Sequence, residues 1–147
     1  PLRRQRQMCI RDRASGEDLP GNVKAVIADC GYTSEWDEFQ READTLHIPW
    51  FPVLNATSVL SKVRDGYDFK QASALAQVKK SRIPTLFIHG SSDELVPYSM
   101  LGELYAAAAC EKEELTVEGA GHALSSSVAP TLYWRTVEDF IAKHLDR

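Results

Sequence analysis

Two side chains in this sequence have the type and setting to move a proton together: Asp93 and His122, 29 positions apart. A carboxylate that holds one nitrogen of an imidazole fixes its tautomer and stabilises its cation. The other ring nitrogen is then free to take a proton from a nucleophile. Asp93 lies in the polar loop Ser91-Ser92-Asp93-Glu94, directly behind the apolar run Leu86-Phe87-Ile88 and the turn residue Gly90. His122 closes Gly119-Ala120-Gly121-His122, behind the short β-type run Glu113–Val117, where flanking glycines suit a tight turn that lifts the ring clear of a sheet. Loops at the carboxyl ends of parallel strands are where open α/β sheets place their chemistry. A second acid, Asp29, ends the run Val23–Ala28 and either holds that turn or serves as the acid in place of Asp93. His89 reads as a partner for loop backbone. With Asp93 it gives two metal ligands and no visible third, so no metal site and no cofactor are expected. Cys30 has no cationic sequence neighbour to lower its pKa and reads as a small packed side chain. His47 and His144 read as helix-surface residues.

The elements that must position the pair follow from periodicity. Val23–Ala28, Thr85–Ile88 and Glu114–Val117 read as strands, the middle one apolar enough for a fully buried parallel strand. Pro97 suits the first position of the helix that carries Leu101, Leu104, Tyr105 and Ala108 on one face. Tyr133, Val137, Phe140 and Ile141 give a closing helix, and Ser125-Ser126-Ser127 reads as loop. Residues 33–80 form a helical insertion too long for an ordinary strand–helix link. Ser34 and Asp37 resemble a capping box before the helical face Trp36, Phe39, Ala43 and Leu46. Pro49-Trp50-Phe51-Pro52 breaks that helix. A second follows through Val53, Leu54, Thr57, Leu60 and Val63 to Gly66, and a third short one runs from Phe69 to Val78. Six of the thirteen aromatics fall in this insertion, so it reads as a lid, with Trp36, Phe39, Trp50 and Phe51 as candidate substrate-binding rings. Strand, helical insertion, strand, helix, strand, helix is the pattern of a parallel sheet covered by helices.

Composition narrows the function. With 44% apolar and 26% charged residues in 147, the chain supports one core, and no apolar run approaches a membrane span. The net charge of −4 conceals five arginines and one aspartate in residues 1–13 against 12 basic and 20 acidic side chains in the rest. An acidic body argues against nucleic acid as the natural partner. Three cysteines without metal or disulfide spacing point to a reducing, cytoplasmic setting. Residues 1–13 show no structural period, and Met8-Cys9-Ile10-Arg11-Asp12-Arg13 resembles the translation of a transposon-end sequencing adapter. On that reading the native polypeptide begins near Ala14, residues 14–147 are a partial domain, and the chain is the tail of a longer gene product.

His89-Gly90-Ser91-Ser92-Asp93-Glu94-Leu95-Val96-Pro97 followed by Gly119-Ala120-Gly121-His122 resembles the final third of the α/β-hydrolase family, near its serine aminopeptidase, prolyl-oligopeptidase and esterase branches. The resemblance implies that Asp93 is the triad acid and His122 the general base. It implies that Val23–Ala28, Thr85–Ile88 and Glu114–Val117 are the sixth, seventh and eighth strands of the parent sheet, and that the substrate is a carboxylic ester or small amide. No Gly-x-Ser-x-Gly occurs in the chain. Ser34, Ser91, Ser92 and Ser125–Ser127 lack the strand–turn–helix context of a nucleophile elbow. The resemblance therefore implies that nucleophile and oxyanion hole lie upstream and that the chain alone is inactive. An aspartate-nucleophile dehalogenase or epoxide hydrolase, and a non-catalytic binding module, are the rival readings on the same fold. Oligomeric state and membrane association are left open.

Overall fold

The computed structural model describes residues 21–66, 68–70 and 73–145. The adapter-like tail, the turn-rich link up to Pro20 and Tyr67 lie outside them. The chain divides into two compact units, one holding residues up to Tyr32 together with Ala74–Arg147, the other Thr33–Ser73.

The first unit is built on a three-stranded parallel sheet in the order β1-β2-β3, with β1 at Val26–Asp29, β2 at Thr85–Gly90 and β3 at Lys112–Val117. All six residues of β2 are buried. Its pleat sends alternate side chains to opposite faces. Leu86 and Ile88 join Val117, Ala120, Tyr133, Val137 and Phe140, the last three from the closing helix Pro130–Leu145. Phe87 meets Ala74, Val78, Leu101 and Leu104, from the helices Ala74–Val78 and Ser99–Ala107, and Ala108, the residue that follows the second. Helices on both faces are what a parallel sheet requires. Lys112 caps the second of those helices, its Nζ donating to the carbonyls of Tyr105 and Ala108 at 2.6 and 2.9 Å.

The expected strand Val23–Ala28 is shorter and less buried than its composition suggests. It begins at Val26 and is half-buried throughout, because among the described residues it pairs only with β2 and so forms an edge. Pro97 does not open its helix, which starts at Ser99 after a turn in which the Met100 amide bonds the Pro97 carbonyl. The serines expected as loop form a single helical turn, Ser125–Val128, in which the Leu124 carbonyl takes the amides of Ser127 and Val128. His144 is not on the surface. It is 3% exposed, its ring 4.6 Å from that of Phe140, because the last turn of the closing helix folds onto the body.

We number the helices in chain order: α1 Glu35–Thr45, α2 Trp50–Asp65, α3 Ala74–Val78, α4 Ser99–Ala107, α5 Ser125–Val128 and α6 Pro130–Leu145. The second unit holds α1 and α2. Ser34 caps α1 by accepting the Asp37 amide at 3.1 Å. The break at Pro49–Pro52 falls where the proline pair predicts, with Phe51 outside helical geometry. Gly66 ends α2 in the left-handed conformation. Asp68 ties that end, accepting Ser58 Oγ and Lys62 Nζ at 3.1 Å each. Within the expected third helix, Phe69–Val78, Ala74–Val78 is helical among the described residues. His47 lies beyond α1 in a left-handed turn rather than on a helix. No described helix is long and apolar enough to cross a membrane.

Candidate active site

The parallel register brings three strand ends side by side: Asp29 pairs with Ile88, and Gly90 with Val117. Each end carries one chemically active residue. After β1 comes Cys30, after β2 the Asp93 loop, and after β3 the His122 turn.

The Asp93 loop is tied to the His122 turn by backbone. Ser91 N–H bonds the Val117 carbonyl at 3.0 Å, and Ser92 N–H bonds the Ala120 carbonyl at 3.0 Å. Ser91 Oγ takes the Gly119 amide at 2.9 Å. This proximity is why residue 90 is glycine. A Cβ built there would stand 2.2 Å from the Ala120 carbonyl oxygen. The left-handed positions of the turn are Gly119 (φ +72°) and Ala123 (φ +57°), so it is Gly119, not Gly121, that supplies the left-handed step before the histidine.

Asp93 Oδ2 lies 2.9 Å from His122 Nδ1. An ionised carboxylate only accepts, so Nδ1–H donates and Nε2 is left as the basic nitrogen. Among the described residues Nε2 has no partner, and the histidine side chain is 36% exposed while that of Asp93 is fully buried. The other carboxylate oxygen, Oδ1, accepts the amides of Leu95 and Val96 at 2.9 and 2.8 Å. Burial pushes the Asp93 carboxyl up. The Val96 amide, the His122 ring and the Leu95 amide outweigh it and hold the group below the usual carboxylate range. His89 donates from Nε2 to the Val96 carbonyl at 3.0 Å, so it braces the loop backbone as the sequence predicts.

Asp29 does not contend for the histidine. Its Oδ2 accepts the Tyr133 hydroxyl at 3.1 Å and its Oδ1 the Cys30 thiol at 3.1 Å. Cys30 is more than a packed side chain. Its backbone is left-handed (φ +53°), and its sulfur accepts the Ala123 amide at 3.0 Å. Burial first, then the bond and charge of Asp29, push its thiol up to about 12. A run of four groups thus joins α6 to the histidine turn: Tyr133, Asp29, Cys30 and Ala123. Cys30, Asp93 and His122 each offer a ligand atom, and these atoms all lie within 4.8 Å of one another. Sequence reasoning missed this grouping because Cys30 and Ala123 are 93 positions apart. The one available signal was a cysteine at a strand's carboxyl end.

Within the second unit, Trp36 lies under the Lys70 ammonium, 4.5 Å from Nζ to the ring centre, and Phe39 packs on Phe69 at 5.0 Å. Trp50 meets Phe51 edge-on at 6.2 Å, and Phe51 is 67% exposed.

No family model matches the chain. The uncharacterized protein YqkD of Bacillus subtilis (strain 168) is 31% identical over 130 residues, which is 86% of this chain and 42% of that protein. The chain therefore spans under half the length of this curated relative. An esterase of Pyrococcus furiosus superposes with a TM-score of 0.66 over 93% of the chain and 50% of its own, at 16% identity. The esterase domain of a Rhodothermus marinus protein gives 0.61 over 93% and 57%, at 17% identity. The acylaminoacyl peptidase of Pyrococcus horikoshii gives 0.61 over 87% and 21%, at 15% identity.

Proposed function

On the α/β-hydrolase fold that this chain carries, we propose that it supplies the acid and the base of a serine hydrolase of carboxylic esters or small amides. Asp93 orients His122 and stabilises its cation. Nε2 of His122 takes the proton of a serine hydroxyl as it attacks the acyl carbon, then delivers it to the leaving oxygen or nitrogen. The serine and the oxyanion donors come from protein outside these 147 residues, since no nucleophile elbow lies within them. The observation that carries the reading is the 2.9 Å Asp93–His122 contact at adjacent strand ends. The esterase and peptidase neighbours support the substrate class. The rings of Trp36, Phe39, Trp50 and Phe51, all in the second unit, are the proposed contacts for the apolar part of such a substrate. The free thiols of Cys30 and Cys110 fit a reducing, cytoplasmic setting.

Two measurements test this. A fluorophosphonate probe should label the full-length gene product and lose that labelling in His122→Ala. A folded but silent full-length protein would favour a binding module, and an aspartate at the elbow a dehalogenase or epoxide hydrolase. Purified 1–147 should not turn over a nitrophenyl ester; turnover abolished by His122→Ala would overturn the placement of the nucleophile.

A further inference from the structure

The three parallel strand ends of the site present three different donor atoms to one point: a thiol from Cys30, a carboxylate oxygen from Asp93 and an imidazole nitrogen from His122, mutually within 4.8 Å. Tetrahedral zinc bonded to sulfur at about 2.3 Å and to nitrogen and oxygen at about 2.0–2.2 Å spaces its ligand atoms roughly 3.3–3.7 Å apart. The three donor atoms, within 4.8 Å of one another, bracket that spacing, and the sulfur closes by up to about 1 Å onto a bound ion. Asp93 Oδ2 and His122 Nδ1 stand 2.9 Å apart around a shared proton, and widening that gap by a few tenths of an ångström admits a metal ion in the proton's place. We propose that Cys30, Asp93 and His122 form a binding site for a thiophilic divalent cation of the zinc class, with solvent at the fourth position.

The donor set selects the metal. One sulfur, one imidazole and a single carboxylate suit zinc or cobalt and poorly suit magnesium or calcium, which ask for several oxygens. Charge favours it as well. The dication would meet the thiolate and the Asp93 carboxylate directly, with the Asp29 carboxylate 3.1 Å behind the sulfur. Access is from the His122 side, the one exposed ligand of the three. The binding step balances simply. The Cys30 S–H bond breaks, its proton passes to solvent, and a sulfur–metal bond forms. The imidazole proton moves from Nδ1 to Nε2, so His122 stays neutral. Burial of the thiol opposes the first of these changes and makes the site weaker than a structural zinc site. The site rests on geometry alone. Only its consequence rests on the hydrolase reading: an ion held here occupies both the acid and the base, so it inhibits the full-length enzyme reversibly.

The test uses chain 1–147 carrying Cys9→Ser and Cys110→Ser, which leaves Cys30 as the sole thiol. Cobalt(II) should produce a near-ultraviolet thiolate-to-metal charge-transfer band saturating at one equivalent, and zinc should displace it. Cys30→Ser should abolish the band, and His122→Ala and Asp93→Asn should each weaken cobalt binding by at least tenfold. Circular dichroism checks that each variant is folded. If Cys30→Ser does not fold, the cadmium-113 resonance of the unsubstituted site decides instead, a shift for one sulfur among nitrogen and oxygen supporting the proposal and an all-oxygen shift overturning it. No band at saturating cobalt, or a band of unchanged affinity in both His122→Ala and Asp93→Asn, overturns it too. None of these readouts depends on catalysis, so the metal site and the hydrolase reading fail separately.

Discussion

Gly90→Ala should separate the acid from the base without touching either. The added Cβ would stand 2.2 Å from the Ala120 carbonyl oxygen and 2.7 Å from its carbon, where real Cβ atoms keep at least 3.0 Å. Both neighbours are backbone, so no flexible side chain can yield, and the two loops must part by about 0.8 Å, the shortfall from 2.2 to 3.0 Å. The Ser92–Ala120 hydrogen bond, now 3.0 Å, would stretch to about 3.8 Å and be lost. Overpacking of this kind costs about 1–3 kcal/mol and the lost bond about 1 kcal/mol more. With a urea dependence of about 2 kcal/mol per molar, the unfolding midpoint should fall by roughly 1–2 M. Gly102 on α4 is the control, since a Cβ there meets nothing within 4 Å. Gly102→Ala should raise stability by about 0.5–1 kcal/mol through helix propensity. Nitrogen-15 histidine spectra add the site readout: the hydrogen-bonded Nδ1–H signal of His122 should vanish in Gly90→Ala and persist in Gly102→Ala. A Gly90→Ala chain with an unchanged midpoint and an unchanged Nδ1–H signal would refute the reasoning. So would an equal loss in Gly102→Ala, which would make the effect generic to glycine.

The Asp93 carboxyl sits below its ordinary range when folded, so its stabilising contribution is present above the unfolded pKa and lost as pH falls through the folded one. The stability gap between the parent chain and Asp93→Asn, followed by urea titration, should be widest near neutrality and close below about pH 4, where an unfolded aspartate begins to take up its proton; a gap independent of pH would contradict the assignment. Tyr133→Phe removes the hydroxyl bond to Asp29 while keeping the ring in its core cluster. It should cost about 1.5–3 kcal/mol in the same assay, the range for a bond to a charged acceptor.

Much of this architecture was legible before any coordinates. The apolar run at Leu86–Ile88 dictates a buried central strand, and the 3,4-spaced residues of α4 and α6 dictate the helices that cover it. The Asp93–His122 meeting followed from two polar loops at successive strand ends. Less legible was what depends on long-range company. Val26–Asp29 has the composition of a buried strand but has a single strand neighbour among the described residues, and composition does not count neighbours. His144 looked like a surface residue because its helix is polar around it, yet it faces Phe140. Cys30 looked inert because Ala123, whose amide its sulfur accepts, and Tyr133, which bonds the neighbouring Asp29, come from the far end of the chain.

Tyr133 belongs to the closing helix and Ala123 is the residue after the histidine, and Asp29 with Cys30 connects them in an unbroken line of hydrogen bonds. Heat that frees the first turn of that helix therefore removes one of two supports of the histidine turn, the other being the Asp93 loop. The steadiness of the proton-transferring group is thus set in part by a distant piece of scaffold.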